Sequence, residues 1–391
     1  MTPSARVQAA IEILDQVIAS ARDDGPPADT IIQRYFKTRR YAGSKDRRAV
    51  RELAFRAIRR SGERPENGRA AMIGLADDDA LLLDQFDGSP HGPAAREPAE
   101  VPAARSLIPQ WIQPLLSEHV TSGEWPALLE RAPLDLRVNA ARASREQIAA
   151  QFPYAESTSL SPWGLRLPAD SKADDNPAIA EGLVEIQDEG SQLIALACQP
   201  DNGMRILDLC AGAGGKALAL AATAPEAEII ASDTNRARLA QLAPRAERSK
   251  ARISMRLLDG GREAAQLADL EDQCDVVLVD APCSGSGTWR RNPEGRWRLN
   301  SERLGRLVRL QERLLDLASP LVKPGGALVY ATCSIIRAEG ADQARNFLGR
   351  HSSWLVQDVP FNSGRADGPG RLLTPGHDAT DGFFVARFIR S

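Results

Sequence analysis

The second half of this sequence predicts a doubly wound parallel α/β sheet, and ahead of it the chain reads as a helical region followed by a small α+β segment. Three observations lead there. From about Leu183 onward, β-branched runs alternate regularly with helical segments, the pattern of strands joined by helical crossovers. Four of the five runs end in Asp or Asp-Leu-Cys and the fifth in Thr-Cys, so polar and reactive groups gather where open sheets bind their ligands. The loop after the first run, Cys210-Ala-Gly-Ala-Gly-Gly-Lys216, has the glycines that let a backbone approach a ligand closely.

Taken in order, the chain opens with two helices to about residue 62, carrying Ile11, Leu14, Val17 and Ile18, then Val50, Leu53, Ala54 and Ile58 at helical spacing. Residues 61–106 are rich in Gly, Pro, Ala and acidic side chains, with one apolar patch at Ala80-Leu81-Leu82-Leu83, and read as a poorly packed connector or as loosely helical. A helical pair resumes with Ile108, Trp111, Ile112, Leu115 and Leu116, closing a helical domain at residues 1–125. The period then changes. Leu134, Leu136 and Val138 alternate as in a strand, Ser144 to Phe152 reads as a capped helix, and Trp163-Gly-Leu-Arg-Leu-Pro as a second strand, giving a small α+β subdomain at residues 130–182. Residues 183–391 hold the large sheet, with strands at Arg205–Cys210, Glu228–Asp233, Ile253–Asp259, Asp275–Asp280 and Ala327–Cys333.

Bulk properties narrow the function classes. The 391 residues are 43% hydrophobic and 26% charged, as in a globular protein, and no apolar run is long enough to cross a bilayer, which points to the cytoplasm. Five cysteines are too few and too scattered for a disulfide framework and suit reduced thiols. The net charge of −3 gives no global sign of nucleic-acid binding, but Arg34 to Arg60 is strongly basic, and the stretch from Trp289 to Leu310 interleaves arginines with tryptophans. Either basic stretch reads equally as a solvated helical face.

The glycine loop is not the G-x-G-x-x-G of a dinucleotide fold, since Gly212, Gly214 and Gly215 are spaced G-x-G-G. Nor is it a phosphate-binding Walker loop, because alanine follows Lys216. Asp233, about twenty residues on at the end of the second strand, is placed to accept hydrogen bonds from both hydroxyls of an unmodified ribose. Asp259 ends the third strand before Gly260-Gly261, where a carboxylate can reach an adenine amino group. This set fits S-adenosylmethionine, which carries no diphosphate. The expected cofactor residues are Cys210, Ala211, Gly212, Ala213, Gly214, Gly215, Lys216, Asp233, Asp259 and Asp280, with Arg238 as a further contact.

Asp280-Ala-Pro-Cys283-Ser-Gly-Ser-Gly follows the fourth strand and Ala331-Thr-Cys333-Ser ends the fifth. This pairing resembles the RsmB-type family of RNA cytosine-5 methyltransferases, also called the Sun or NOL/NOP group. The resemblance covers at least Gly182 to Phe388, including Glu185-Ile-Gln-Asp-Glu-Gly-Ser-Gln192 and Asp381-Gly-Phe-Phe-Val-Ala-Arg-Phe388, and extends more weakly through Leu136-Arg-Val-Asn139. It implies a Rossmann-like class I methyltransferase, an RRM-like small subdomain and a NusB-like, RNA-binding helical domain. It further implies Cys333 as the nucleophile, Cys283 as the thiol that assists release, and Asp280 as the carboxylate on the cytosine edge. RNA is the implied partner, small-subunit rRNA ahead of tRNA, for a monomeric enzyme with no metal and no membrane. Cys198 and Cys274 stand outside these motifs and read as small core hydrophobes.

The sequence departs from the family in its Ala-Gly-Ala-Gly-Gly loop, where many relatives have Ala-Ala-Pro-Gly-Gly, and in Gly340 after Glu339. DNA cytosine-5 methyltransferases also pair a Pro-Cys with this cofactor, but their Glu-Asn-Val is missing here, and the aromatic of the Asp/Asn-Pro-Pro-Tyr loops that hold exocyclic nitrogens is absent from Asp280-Ala-Pro-Cys283. A non-catalytic RNA-binding assembly protein is the alternative from another class, and the retained cysteines and strand-end carboxylates argue against it.

Overall fold

The computed structural model describes residues 1–391 apart from Asp24, Asp170 and Asp174. The chain divides into two compact units, one formed by Met1–Leu116, Thr121–Glu130 and Thr288–Ser301, the other by Ser117–Val120, Arg131–Gly287 and Glu302–Ser391.

The first unit is helical, with α1 (Pro3–Arg22), α2 (Ala28–Lys37), α3 (Ser44–Arg60) and α4 (Gly68–Ala76). Thr2 caps α1 by accepting from the Ala5 amide, and Pro3 takes the first turn, where no amide partner is needed. Val7, Ile11, Leu14 and Ile18 then line one buried face. The spacing predicts two helices to residue 62, and three form. The basic residues between Arg34 and Arg40 mask α2, whose Ile31, Ile32, Tyr35 and Phe36 join the core. The expected connector also contributes, through the Ala71, Met72 and Ile73 of α4. Gly68 makes this possible: a Cβ there would sit 2.3 Å from the Ile11 carbonyl oxygen, so only glycine lets α4 start against α1, where its amide donates to Asp15. The helical pair expected after Ile108 is reduced to turns and a short 3-10 segment at Gln113–Leu115, because Pro109 and Pro114 each remove a donor.

Part of the second basic stretch proves structural. Arg296 is 1% exposed, and its guanidinium donates to the carbonyls of Pro293, Leu107 and Ile58, the last in the final turn of α3. Burial pushes its pKa down to about 9. Trp297 joins the helical core and donates its indole N–H to Ser61.

The second unit carries two sheets. The smaller is antiparallel in the order β2-β3-β1-β4, from β1 (Leu134–Val138), β2 (Glu156–Ser157), β3 (Gly164–Leu167) and β4 (Val184–Ile186). Its apolar face, with Leu136, Val138, Leu165 and Val184, packs on Ile148 and Phe152 beside the expected helix, observed at Arg145–Ala149 and closed by a Ser144–Gln147 capping box. The opposite face is charged yet buried. Asp135 holds Arg166 through two bonds of 2.7 Å, and Glu185 holds Arg245 and Arg248 from the Leu242–Ser249 helix.

The larger sheet contains β5 (Arg205–Asp208), β6 (Glu228–Asp233), β7 (Ile253–Leu257), β8 (Cys274–Asp280) and β9 (Val322–Thr332), all parallel in the order β9-β8-β5-β6-β7. The five expected strands are all present. Four further strands lie beyond the sequence expectation: β10 (Trp354–Gln357), β11 (Arg365–Asp367), β12 (Gly370–Leu373) and β13 (Phe383–Arg390). β13 pairs antiparallel with β9, making the sheet mixed rather than wholly parallel. The chain runs outward from β5 through β6 to β7, then returns to lay β8 and β9 on the other side, so the topological switch falls between β5 and β8.

Candidate active site

A cleft of about 500 Å³ opens at the carboxyl ends of the parallel strands, at that switch point. Its lining includes Cys210 and Ala211 after β5, Asp233 at the end of β6, Asp280 to Cys283 after β8 and Cys333 after β9, with Leu310 and Leu314 from the Ser301–Ala318 helix.

The glycine loop is shaped by Asp233 from below. One carboxylate oxygen accepts the Gly212 amide at 2.7 Å and the other accepts the Asn235 amide at 2.6 Å, and the side chain lines the cleft with acceptor capacity left over. Gly212 and Gly214 both hold left-handed backbones, φ +57° and +84°, and a Cβ on Gly214 would lie 2.2 Å from Leu242. The departure from Ala-Ala-Pro-Gly-Gly therefore still yields a tight turn. Arg238 packs its guanidinium beneath Gly212 and lines the cleft.

Lys216, on the first turn of the Gly215–Thr223 helix, donates to Asp280 at 2.6 Å. Burial opposes its charge, but the Asp280 carboxylate outweighs that cost and the ammonium is held above its usual pKa, within electrostatic range of Asp208 and Cys333. Asp208, outside the set predicted from sequence, is 1% exposed, and neither of its carboxylate oxygens has a hydrogen-bond partner among the described residues. Burial, reinforced by Asp280, pushes its pKa up to about 7. A charged residue within the apolar run Ile206-Leu-Asp-Leu209 was the available signal. Glu263 is a second omission: it lines the cleft and accepts from Arg313 and the Gly261 amide. Asp259 lies elsewhere. It is exposed, its carboxylate accepts from the Gln266 side chain, and it is not among the cleft-lining residues.

The two motif cysteines meet. Backbone bonds from Ala281 to Ala331 and from Gly287 to Cys333 hold their loops side by side, and Cys283 Sγ lies 3.3 Å from Cys333 Sγ. The hydrogen bond to Cys333 pushes the Cys283 pKa well up, with burial adding to it. Burial and the Asp208 carboxylate likewise push up Cys210. Cys198 and Cys274 are fully buried, both pushed up to about 12 by burial, and serve as core side chains.

The residues present fit S-adenosylmethionine. A positively charged ligand with an amino group meets two cleft-lining carboxylates, Asp233 and Asp280, with Asp208 buried within electrostatic range of both, while Ala211, Leu258 and Leu314 offer apolar walls.

Solved structures share this architecture. The chain is similar over 100% of its length to the crystal structure of PH0851 (TM-score 0.76, 22% identity, 99% of that chain). It is similar over 72% of its length to NSun6 from Pyrococcus horikoshii (TM-score 0.64, 18% identity, 97% of that chain). The fold is that of a Rossmann-like methyltransferase. Residues 195–389 match the family described as 16S rRNA methyltransferase RsmB/F. Ribosomal RNA small subunit methyltransferase B of Salmonella paratyphi B is 35% identical over 295 residues, 73% of this chain and 67% of the relative. Its Enterobacter sp. counterpart is 34% identical over 294 residues, 73% of this chain and 67% of that one. The chain belongs to the RsmB/F family and is an S-adenosylmethionine-dependent RNA methyltransferase. No described helix is long and apolar enough to cross a membrane.

Proposed function

We propose that this enzyme methylates carbon-5 of a cytosine in small-subunit (16S) rRNA, in the cytoplasm, through a covalent bond to Cys333. The observation that carries this reading is the pair of sulfurs 3.3 Å apart at the mouth of the cofactor cleft. Carbon-5 of cytosine is a poor nucleophile, and a chemistry with two adjacent thiols answers that difficulty. The Cys333 thiolate adds to carbon-6, and the electron pair moves toward carbon-5 and N3. Asp280, at the rim beside Cys283, hydrogen-bonds the cytosine edge and favours protonation at N3 as charge arrives. S-adenosylmethionine supplies the electrophilic methyl group. A base then takes the carbon-5 proton, the carbon-6 to sulfur bond breaks, and Cys283 passes its proton to the departing Cys333 sulfur.

Asp233 is assigned the ribose of the cofactor and the Cys210–Lys216 loop its close backbone approach. Asp259 stays assigned to the adenine edge only if its side chain leaves Gln266. The helical unit is assigned to RNA binding, because Arg34, Lys37, Arg40, Lys45 and Arg48 are exposed on or beside α2 and α3, next to a Tyr41 that is 73% exposed. The names of the relatives favour rRNA as the substrate.

The test is bisulfite sequencing of RNA from a deletion strain and its parent. The reading requires one small-subunit cytosine to lose its protection in the deletion strain and regain it on complementation. An unchanged set of protected small-subunit cytosines in the deletion strain would sink it.

A further inference from the structure

Beside the two cysteines lies a fully buried carboxylate whose charge acts on Cys283. Glu339 is 0% exposed, in the short turn after β9. One carboxylate oxygen accepts the Ser284 amide at 2.9 Å and the Gln311 side chain at 3.0 Å. The other accepts the hydroxyls of Ser284 at 2.5 Å and Ser334 at 2.6 Å. Ser284 follows Cys283 and Ser334 follows Cys333, so one side chain grips the residue after each cysteine. Ser286 completes the tie: its hydroxyl bonds Ser334 at 3.0 Å and accepts the Ile335 amide at 3.0 Å. Gln311 also donates to the Pro282 carbonyl at 3.0 Å, fixing the Cys283 loop to the Ser301–Ala318 helix. On its backbone side, the Glu339 carbonyl accepts from Tyr330 and Thr332, which locks the turn to β9.

We infer that Glu339 is a positioning residue that sets the register of the two cysteine loops and thereby the separation of their sulfurs. A buried carboxylate is costly unless its lone pairs are filled. Here four donors fill them, two from the Cys283 loop, one from the Cys333 loop and one from the supporting helix. Reactive groups held within a few tenths of an ångström gain rate by orientation, and that gain is lost when their loops slide independently. This inference rests on the covalent reading above only in the use made of the spacing; the spacing itself can be measured without RNA.

Four readouts test it on the intact chain. Diamide takes up the two thiol hydrogens as Cys283 and Cys333 join in a disulfide, and mass spectrometry follows the rate. Glu339→Gln keeps the side-chain shape and one acceptor, so melting temperature and S-adenosylmethionine affinity should stay near wild type. Disulfide formation should slow by about tenfold, and kcat should fall by a similar factor at unchanged KM for RNA. Ser334→Ala, which frees only the Cys333 loop, should slow the same reaction and serves if Glu339→Gln does not fold. Wild-type disulfide rates in both variants would overturn the inference, as would a slow rate accompanied by equal loss of cofactor binding. If the covalent reading itself is wrong, Cys283→Ala will trap no RNA adduct, while wild-type protein will still crosslink readily and the effect of Glu339→Gln on crosslinking will persist.

Discussion

Cys283 and Cys333 are separated by fifty positions in the chain and by 3.3 Å between sulfurs. Parallel pairing of β8 with β9 produces that meeting: Asp280 stands opposite Ala331, and the two chains leave the sheet together. Lys216 bridges from the glycine loop to Asp280, three residues before Cys283, and its ammonium lies within electrostatic range of Cys333.

Asp233 should govern cofactor affinity. Replacing it with alanine removes a buried charged acceptor and frees the Gly212 amide, costing about 1.5–3 kcal/mol, or roughly ten- to a hundredfold in Kd. Calorimetric titration with S-adenosylmethionine reads this, and wild-type affinity for Asp233→Ala would remove the nucleoside from this position.

Asp208 should make the cofactor-free protein less stable as pH rises. Folded, it holds a proton up to about 7, whereas an unfolded aspartate releases it near ~3.9. The native state therefore binds more protons between those values, and stability falls from about pH 4 to pH 7, then levels. Asp208→Asn abolishes that decline, so its melting temperature should exceed wild type by a few degrees at pH 8 and converge with it near pH 4. Parallel curves at all pH values would show that the buried carboxyl does not titrate in this range.

The exposed basic residues on and between α2 and α3 should carry RNA affinity. Exchanging Arg40, Lys45 and Arg48 for glutamine should weaken binding and flatten the dependence of log K on log salt by about one unit for each phosphate no longer neutralised. Filter binding across a salt series measures this. An unchanged slope would return the segment to a solvated face.

Arg296 should matter to folding rather than to RNA. Its removal leaves the Ile58, Leu107 and Pro293 carbonyls without their donor in a buried setting, at about 2–4 kcal/mol. Arg296→Ala should lower the melting temperature while leaving the salt slope of RNA binding intact; loss of salt dependence without loss of stability would place this arginine on the RNA.

Much of this was legible because strand periodicity and strand-end chemistry coincide. Glu228–Asp233 forms β6 as read, and Cys210, Asp233, Asp280, Cys283 and Cys333 all reach one cleft. What escaped had physical causes. The helix α2 hides behind its charges, and α4 behind a composition of Gly and Ala that reads as loop until Gly68 is seen to be a close-packing device. Basic residues around Trp297 looked like a nucleic-acid footprint, yet Arg296 is spent on capping carbonyls, since charge pattern alone does not report burial. Asp259 lies two residues past the end of β7, and position after a strand fixes where a Cα lies and not where the side chain bonds; its carboxylate accepts from Gln266. Asp208 left in the sequence only a charge within an apolar run, and Glu339 needed the fold, because the role of a buried carboxylate declares itself through its surroundings.

The central claim is that Cys333 attacks and Cys283 releases, and the covalent complex in denaturing gels separates the two. Cys283→Ala should still attack and methylate but stall at elimination, accumulating a slow-migrating enzyme–RNA band that nuclease removes. Cys333→Ala should give no band and background methyl transfer with cofactor and RNA binding preserved, and the double variant should lose the band as well. A trapped complex from Cys333→Ala, with none from Cys283→Ala, would contradict the assignment and make Cys283 the nucleophile.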